Sequence, residues 1–190
     1  MDRYSEIMRF SAASPEEAGI MIRADILPAL ITIWLAEYRA GAADAEIVEV
    51  ATDGFSNLFD LTEERLITAY GFPAATASGA RDASRMRGFP KPPGGRIKGH
   101  AIAHQLGGGL DINLVPQDRK INGGAFRLLE REAVRYPGCL YFSNWIYDQT
   151  AVQTPTMVVQ GLIRVRDDAD PAQPGTHENA LVVKIIQHAN

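Results

Sequence analysis

The stretch GHAIAHQLGGGLDINLVPQDRKINGGAFRLLE, Gly99 to Glu130, decides how this chain is read. Its C-terminal part has the pattern of a helix from about Asn122 to Arg135, stopped by Pro137-Gly138, with Asp118 or Asn122 available as its cap. At about 100° per residue, Asn122, Phe126, Leu129 and Ala133 fall within roughly 60° of one another. Asn122 is thus in line with the inward apolar stripe, and Glu130 follows it by about two turns, roughly 80° around the axis. A buried amide oxygen needs a partner. A backbone amide of the preceding loop would serve, and so would a hard cation, which takes amide oxygens and waters as ligands.

His100 is the second feature. It follows a glycine and precedes the glycine run Gly107-Gly108-Gly109. A neutral imidazole can take a proton from water, whereas a lone strand histidine also has a purely structural reading. His104 lies four residues on, but Ala101 stands where a two-histidine zinc motif needs its glutamate, so the zinc-protease reading is weak.

Charge is unevenly distributed. The net charge of the 190 residues is −4, yet residues 81–135 hold 11 Lys/Arg against 5 Asp/Glu, while residues 1–80 hold 5 against 13. The basic segment is the one that carries the motif, and clustered positive charge suits a polyphosphate ligand as well as a solvated face. The acidic segment argues against nucleic-acid binding by residues 1–75.

The order Gly99-His100, Asn113-Leu114-Val115-Pro116-Gln117, Asn122-Gly123-Gly124-Ala125-Phe126 and Glu130 resembles the DNA/RNA non-specific endonucleases, which belong to the ββα-metal (His-Me finger) nucleases. It is similar in particular to the compact versions found as toxin domains in bacterial conflict systems. The resemblance covers about 96–165, because Tyr141–Tyr147 and Pro155–Val165 match the aromatic strand and the Pro-led strand that follow in those domains. It implies a magnesium-dependent, or manganese-dependent, endonuclease of low sequence specificity acting on DNA, RNA or both, with a matching immunity or inhibitor protein as a further partner. The roles it implies are His100 as general base, Asn122 as direct metal ligand and Glu130 as holder of a water in the metal's shell. Asn113 and Gln117 would shape and orient the site at the substrate, Lys98 would offer charge to the phosphate, and Arg96, Arg127 and Arg131 would make the remaining phosphate contacts. The family usually has Asp-Arg-Gly-His where this chain has Ile97-Lys98-Gly99-His100. That departure leaves a second reading: a catalytically weakened nuclease-fold module that binds nucleic acid or a protein.

Outward from the motif, the expected fold class is α+β: a ββα-metal nuclease core with a small antiparallel sheet, residues 76–190, preceded by a helical N-terminal region, residues 1–75. Ser14-Pro15-Glu16-Glu17 is a helix start, and apolar residues from Ile20 to Leu35 continue it to Gly41 with Pro28 as a kink or break. A second helix is expected from about Ala43 into Phe59, and Leu61-Thr62-Glu63-Glu64 reads as another helix start capped by Thr62. Gly71 to Gly95 reads as a loop or linker whose Arg81, Arg85, Arg87 and Lys91 either reach phosphates or keep the segment soluble. Short strands are expected at Arg96–Ile102 and Asn113–Pro116. Longer ones with two-residue periodicity follow at Leu140–Tyr147, Thr156–Arg166 and Leu181–Gln187, the last two joined by the polar 167–179 stretch.

The remaining composition is that of a globular chain, 46% hydrophobic and 22% charged. One cysteine, Cys139, rules out an internal disulfide. Met1 is followed by acidic and polar residues rather than a signal peptide, and the apolar Ile26–Ala36 run is too short to span a bilayer, so no membrane association is expected. The expected location is the cytoplasm as synthesised, or export without a classical signal peptide. The N-terminal helices are a candidate homodimer surface.

Overall fold

The structure is a computed structural model and describes residues 2–52, 54–74, 92, 94–108, 112–148, 153–167 and 179–190. The linker cations Arg81, Arg85, Arg87 and Lys91, and most of the 167–179 connection, lie outside the described residues.

The N-terminal helix forms where the sequence signals it. Ser14 Oγ accepts the Glu17 amide at 3.2 Å while Glu17 Oε2 accepts the Ala13 amide at 2.7 Å, a reciprocal pair that closes the helix start. Helix α1, Pro15–Met21, runs through a π turn at Ile22–Ile26 into α2, Leu27–Gly41. The π turn lies directly before Pro28, which has no amide hydrogen for an ordinary helical bond; the Leu27 amide reaches back to Ile22 O instead. From Pro15 to Gly41 the helix is long and apolar enough to cross a membrane. Its Ala18, Ile22, Ile26, Leu30 and Trp34 stripe, however, is buried in the core.

Among the described residues eight strands follow: β1 Ile47–Thr52, β2 Phe55–Asp60, β3 Arg65–Gly71, β4 Ile97–His100, β5 Leu114–Gln117, β6 Leu140–Ile146, β7 Met157–Val165 and β8 Leu181–Ala189. Six of them form one antiparallel sheet in the order β1-β2-β3-β6-β7-β8, and β4 pairs with β5 in a separate antiparallel ribbon. Between β5 and β6, a π turn at Ile121–Ala125 leads into helix α3, Phe126–Arg135. The molecule is α+β, as expected. Leu58, Ile67, Leu140 and Phe142 on one face of the sheet pack with the α1–α2 stripe. Leu66, Ala69, Tyr141 and Trp145 on the other face pack with Ala101, Val115, Phe126 and Leu129 of the ββα unit.

The helix expected from Ala43 to Phe59 is not formed. Those residues make the β1–β2 hairpin, in register from Ile47↔Asp60 to Thr52↔Phe55. The physical reason is legible in retrospect: Ile47, Val48, Val50 and Thr52 are β-branched, and Asp53-Gly54 is a two-residue hairpin signal whose Gly54 has φ 84°. The helix start expected at Leu61–Glu64 is likewise a turn. Asp60 Oδ1 accepts the amides of Thr62 and Glu63 at 2.8 and 3.3 Å, and Thr62 Oγ1 accepts the Glu46 amide at 3.2 Å rather than capping a helix. Residues 47–71 therefore belong to the same sheet as β6–β8, with Thr68–Gly71 paired to Tyr141–Asn144, and the sheet runs across the expected boundary at 75/76.

Candidate active site

The ββα unit holds its first histidine by backbone clamps. Gln117, fully buried in β5, lies across β4, and its Nε2 donates to His100 O at 3.0 Å. A Cβ on Gly99 would stand 2.0 Å from Gln117 Cδ, so the glycine before the histidine is what lets that side chain cross the ribbon. Asn113 then fastens the turn after His100. Its Oδ1 accepts the Ile102 amide and its Nδ2 donates to Ile102 O, both at 2.7 Å, while its own carbonyl accepts the Ala101 amide at 2.8 Å. Ser143 Oγ, from the central strand β6, donates to Ala101 O at 2.7 Å and ties this turn to the sheet.

The helix presents its residues through a π turn. Asp118 Oδ1 accepts the Lys120 amide at 2.7 Å, and the Asn122 amide bonds Asp118 O at 3.1 Å. The Phe126 amide reaches Ile121 O across the turn. A π turn adds one residue to the helical repeat, so Asn122 and Glu130 are related as if about seven residues apart, within roughly 20° instead of 80°. Both therefore face one cavity of about 440 Å³, lined by Lys98, His100, Ala103, His104, Gln105, Asn122, Arg127, Glu130 and Arg131. A larger cavity of about 590 Å³ lies between the end of α2 and the end of β6, but it is walled mainly by apolar residues and contains no histidine. The smaller cavity has the chemistry.

Glu130 is a buried carboxyl in that cavity. Burial raises its carboxyl from an ordinary 4.5 to about 7, against a smaller lowering by the Arg127 charge. Among the described residues, no hydrogen-bond donor pairs with it. A 9%-exposed carboxylate beside a half-buried asparagine amide is a donor set that suits a hard cation and its waters. Among the described residues, no three His, Cys, Asp or Glu side chains gather as a metal cluster, so a soft-metal or zinc cage has no support there.

Six of the nine residues singled out in the sequence thus meet in one cavity: Lys98, His100, Asn122, Arg127, Glu130 and Arg131. Three do not. Asn113 and Gln117 are 2% and 0% exposed and bond backbone atoms of the strand and turn that carry His100. Arg96, expected at a phosphate, is half-buried and donates through Nη2 to Asn190 O at 3.3 Å, outside the cavity. Three cavity residues were not among the nine: Ala103, and His104 and Gln105 on the turn His104–Leu106. The i, i+4 spacing of the two histidines was visible, but only a zinc template gave it a meaning. Ser143 carries no local signal at all, since its partner lies 42 residues away.

Neither a protein-family model nor a curated protein matches the chain. Among solved structures, the fold is similar to a chain of the EndoG/EndoGI complex, with a TM-score of 0.51, 13% identity, and 75% of this chain and 74% of that chain covered. NucA from Streptococcus agalactiae is also similar, with no metal bound (TM-score 0.42, 15% identity, 66% and 81% covered) and with magnesium bound (TM-score 0.42, 12% identity, 68% and 81% covered). At such identities the likeness concerns the fold alone: this chain has an α+β fold similar to that of the chain in the EndoG/EndoGI complex.

Proposed function

We propose that the protein is a magnesium-dependent endonuclease of low sequence specificity that hydrolyses phosphodiester bonds of DNA, RNA or both. The observation that carries this reading is the single cavity in which an imidazole, an amide, a buried carboxyl and three cationic side chains converge on a nuclease-like fold. Hydrolysis needs a base for water and compensation for charge on the phosphoryl oxygens. His100 takes the proton from the attacking water. Lys98, Arg127 and Arg131 neutralise the phosphate, Lys98 as a point charge and the arginines with planar donor forks. Asn122 and Glu130 are the residues that would hold magnesium, or manganese, which when bound supplies Lewis-acid charge to the phosphoryl and leaving oxygens. The similar structure is of an EndoG/EndoGI complex and concerns EndoG inhibition, which supports an inhibitor or immunity protein as a further partner of this chain.

One assay tests the proposal: plasmid DNA and total RNA, with magnesium or with chelator, beside His100→Ala and Asn122→Ala. Metal-dependent degradation lost in both variants is the expected result. No metal-dependent degradation by the wild type would remove the enzyme reading; degradation that survives both substitutions would remove the site assignment. Ile97 in the place of the family's acid favours a second reading, a weakened module that binds without cleaving. Its signature in the same assay is retention of labelled polynucleotide without loss of length.

A further inference from the structure

Helix α3 is FRLLEREAVR, with three arginines and two glutamates, and its sequence does not say on which side each charge falls. The structure separates them completely. Glu130 is turned into the cavity, and both carboxylate oxygens of Glu132 accept Lys184 Nζ of β8 at 2.7 Å, with Arg164 Nε of β7 at 3.5 Å. Phe126, Leu129 and Ala133 are buried. What faces solvent is Arg127, Leu128, Arg131, Val134 and Arg135, all exposed, with Leu128 67% and Val134 49% exposed. This face carries no acid.

The arginines recur at i, i+4 and i+8, so they form one row about 12 Å long on the helix surface. The row begins inside the cavity, where Arg127 and Arg131 are wall residues, and continues out of it to Arg135, which is not a wall residue. Arg135 does not line the cavity, so a single phosphodiester bound at the cavity end would leave this outer cation without a phosphate. The geometry points to a track for a polynucleotide: the outer face of α3 holds successive backbone phosphates of a strand leaving the cavity, with Arg135 as its outer contact and Leu128 and Val134 as apolar ground for sugars. The substrate is therefore a polymer gripped by its backbone, without regard to base. This inference rests on the nuclease reading above and extends it beyond the scissile bond.

The test separates the two. On His100→Ala protein, which binds without cutting, anisotropy of labelled DNA and RNA strands of about 20 nucleotides is followed over about 50 to 300 mM salt. Arg135→Gln should make the slope of log K against log salt shallower by about 0.7 to 0.9, the value for one phosphate contact, and Arg135→Lys should restore it. In the active protein, Arg135→Gln should raise KM for long strands by about three- to ten-fold with kcat retained, and leave KM for bis(p-nitrophenyl) phosphate, a single phosphodiester, as it was. A salt slope and a polymer KM that are both unchanged in Arg135→Gln would overturn the track while leaving the nuclease reading intact. If the wild type cuts nothing but the slope still drops, the track stands and the cleavage reading falls. Equal slopes for DNA and RNA support a backbone grip, and a slope change confined to one of them identifies that polymer as the occupant.

Discussion

Replacing Glu130 by glutamine should make the metal-free protein more stable at alkaline pH. The carboxyl is 9% exposed, and burial raises it to about 7 from an ordinary 4.5. A group whose folded value lies above its unfolded value favours folding most below the unfolded value, and that contribution is lost as pH rises through the folded value. The wild type should therefore lose stability between about pH 4.5 and pH 7, by at most about 3 kcal/mol at roughly 1.4 kcal/mol per pH unit. Glutamine keeps the shape and carries no charge to desolvate, so it does not share this loss. For a chain of this length, about 3 kcal/mol corresponds to roughly 6 to 12 °C in Tm. The assay is thermal unfolding of both proteins in chelator at several pH values. Tm should coincide below about pH 4.5 and diverge in favour of Glu130→Gln by about pH 8. Added magnesium should then raise the wild-type Tm more than that of the variant, because the variant keeps the Asn122 amide but has lost the charge of the carboxylate. A variant that is no more stable than wild type at pH 8, or a difference that does not shrink on acidification, would show that the carboxylate is compensated in the folded state. The desolvated site would then be an incorrect description.

Other consequences concern the clamps behind His100. Asn113→Ala strips both partners from the buried Ile102 amide and carbonyl and should cost about 2 to 4 kcal/mol, read as a lower denaturant midpoint at unchanged m-value. Gly99→Ala places a Cβ 2.0 Å from Gln117 Cδ and should unfold or strongly destabilise the ribbon, and the double variant with Gln117→Ala should recover most of the Tm. Failure of that recovery would mean that the close approach of Gln117 is not what demands the glycine. Thr62→Ala should cost about 1 kcal/mol or less in urea, since it loses only the bond to the Glu46 amide in a turn and no helix cap.

Local chemistry made much of this molecule readable. Ser14, Pro15 and Glu17 start a helix because a hydroxyl and a carboxylate satisfy amides within four residues, and that information is wholly local. The alternating patterns of β6, β7 and β8 were visible for the same reason, being periodicities of adjacent residues. The β1–β2 hairpin was misread because short apolar runs such as Ile47–Ala51 suit either element, and their pairing partners decide between them. The hydrogen bond of Arg96 to Asn190 O could not be read locally, because its partner lies 94 residues away.

The Gly99–Glu130 stretch shows the same division. By itself, the sequence determined which groups the site has at its disposal, because imidazole, amide, carboxyl and guanidinium chemistry belongs to the residues. Only the tertiary structure decided their arrangement. The π turn at Ile121–Ala125 brings Asn122 into line with Glu130, Ser143 from a distant strand holds the turn after His100, and Lys184 and Arg164 draw Glu132 to the sheet so that the outer face of α3 carries arginines and no acid. Each of these is settled by contacts between segments far apart in the chain, where burial and pairing outweigh anything that a local periodicity records.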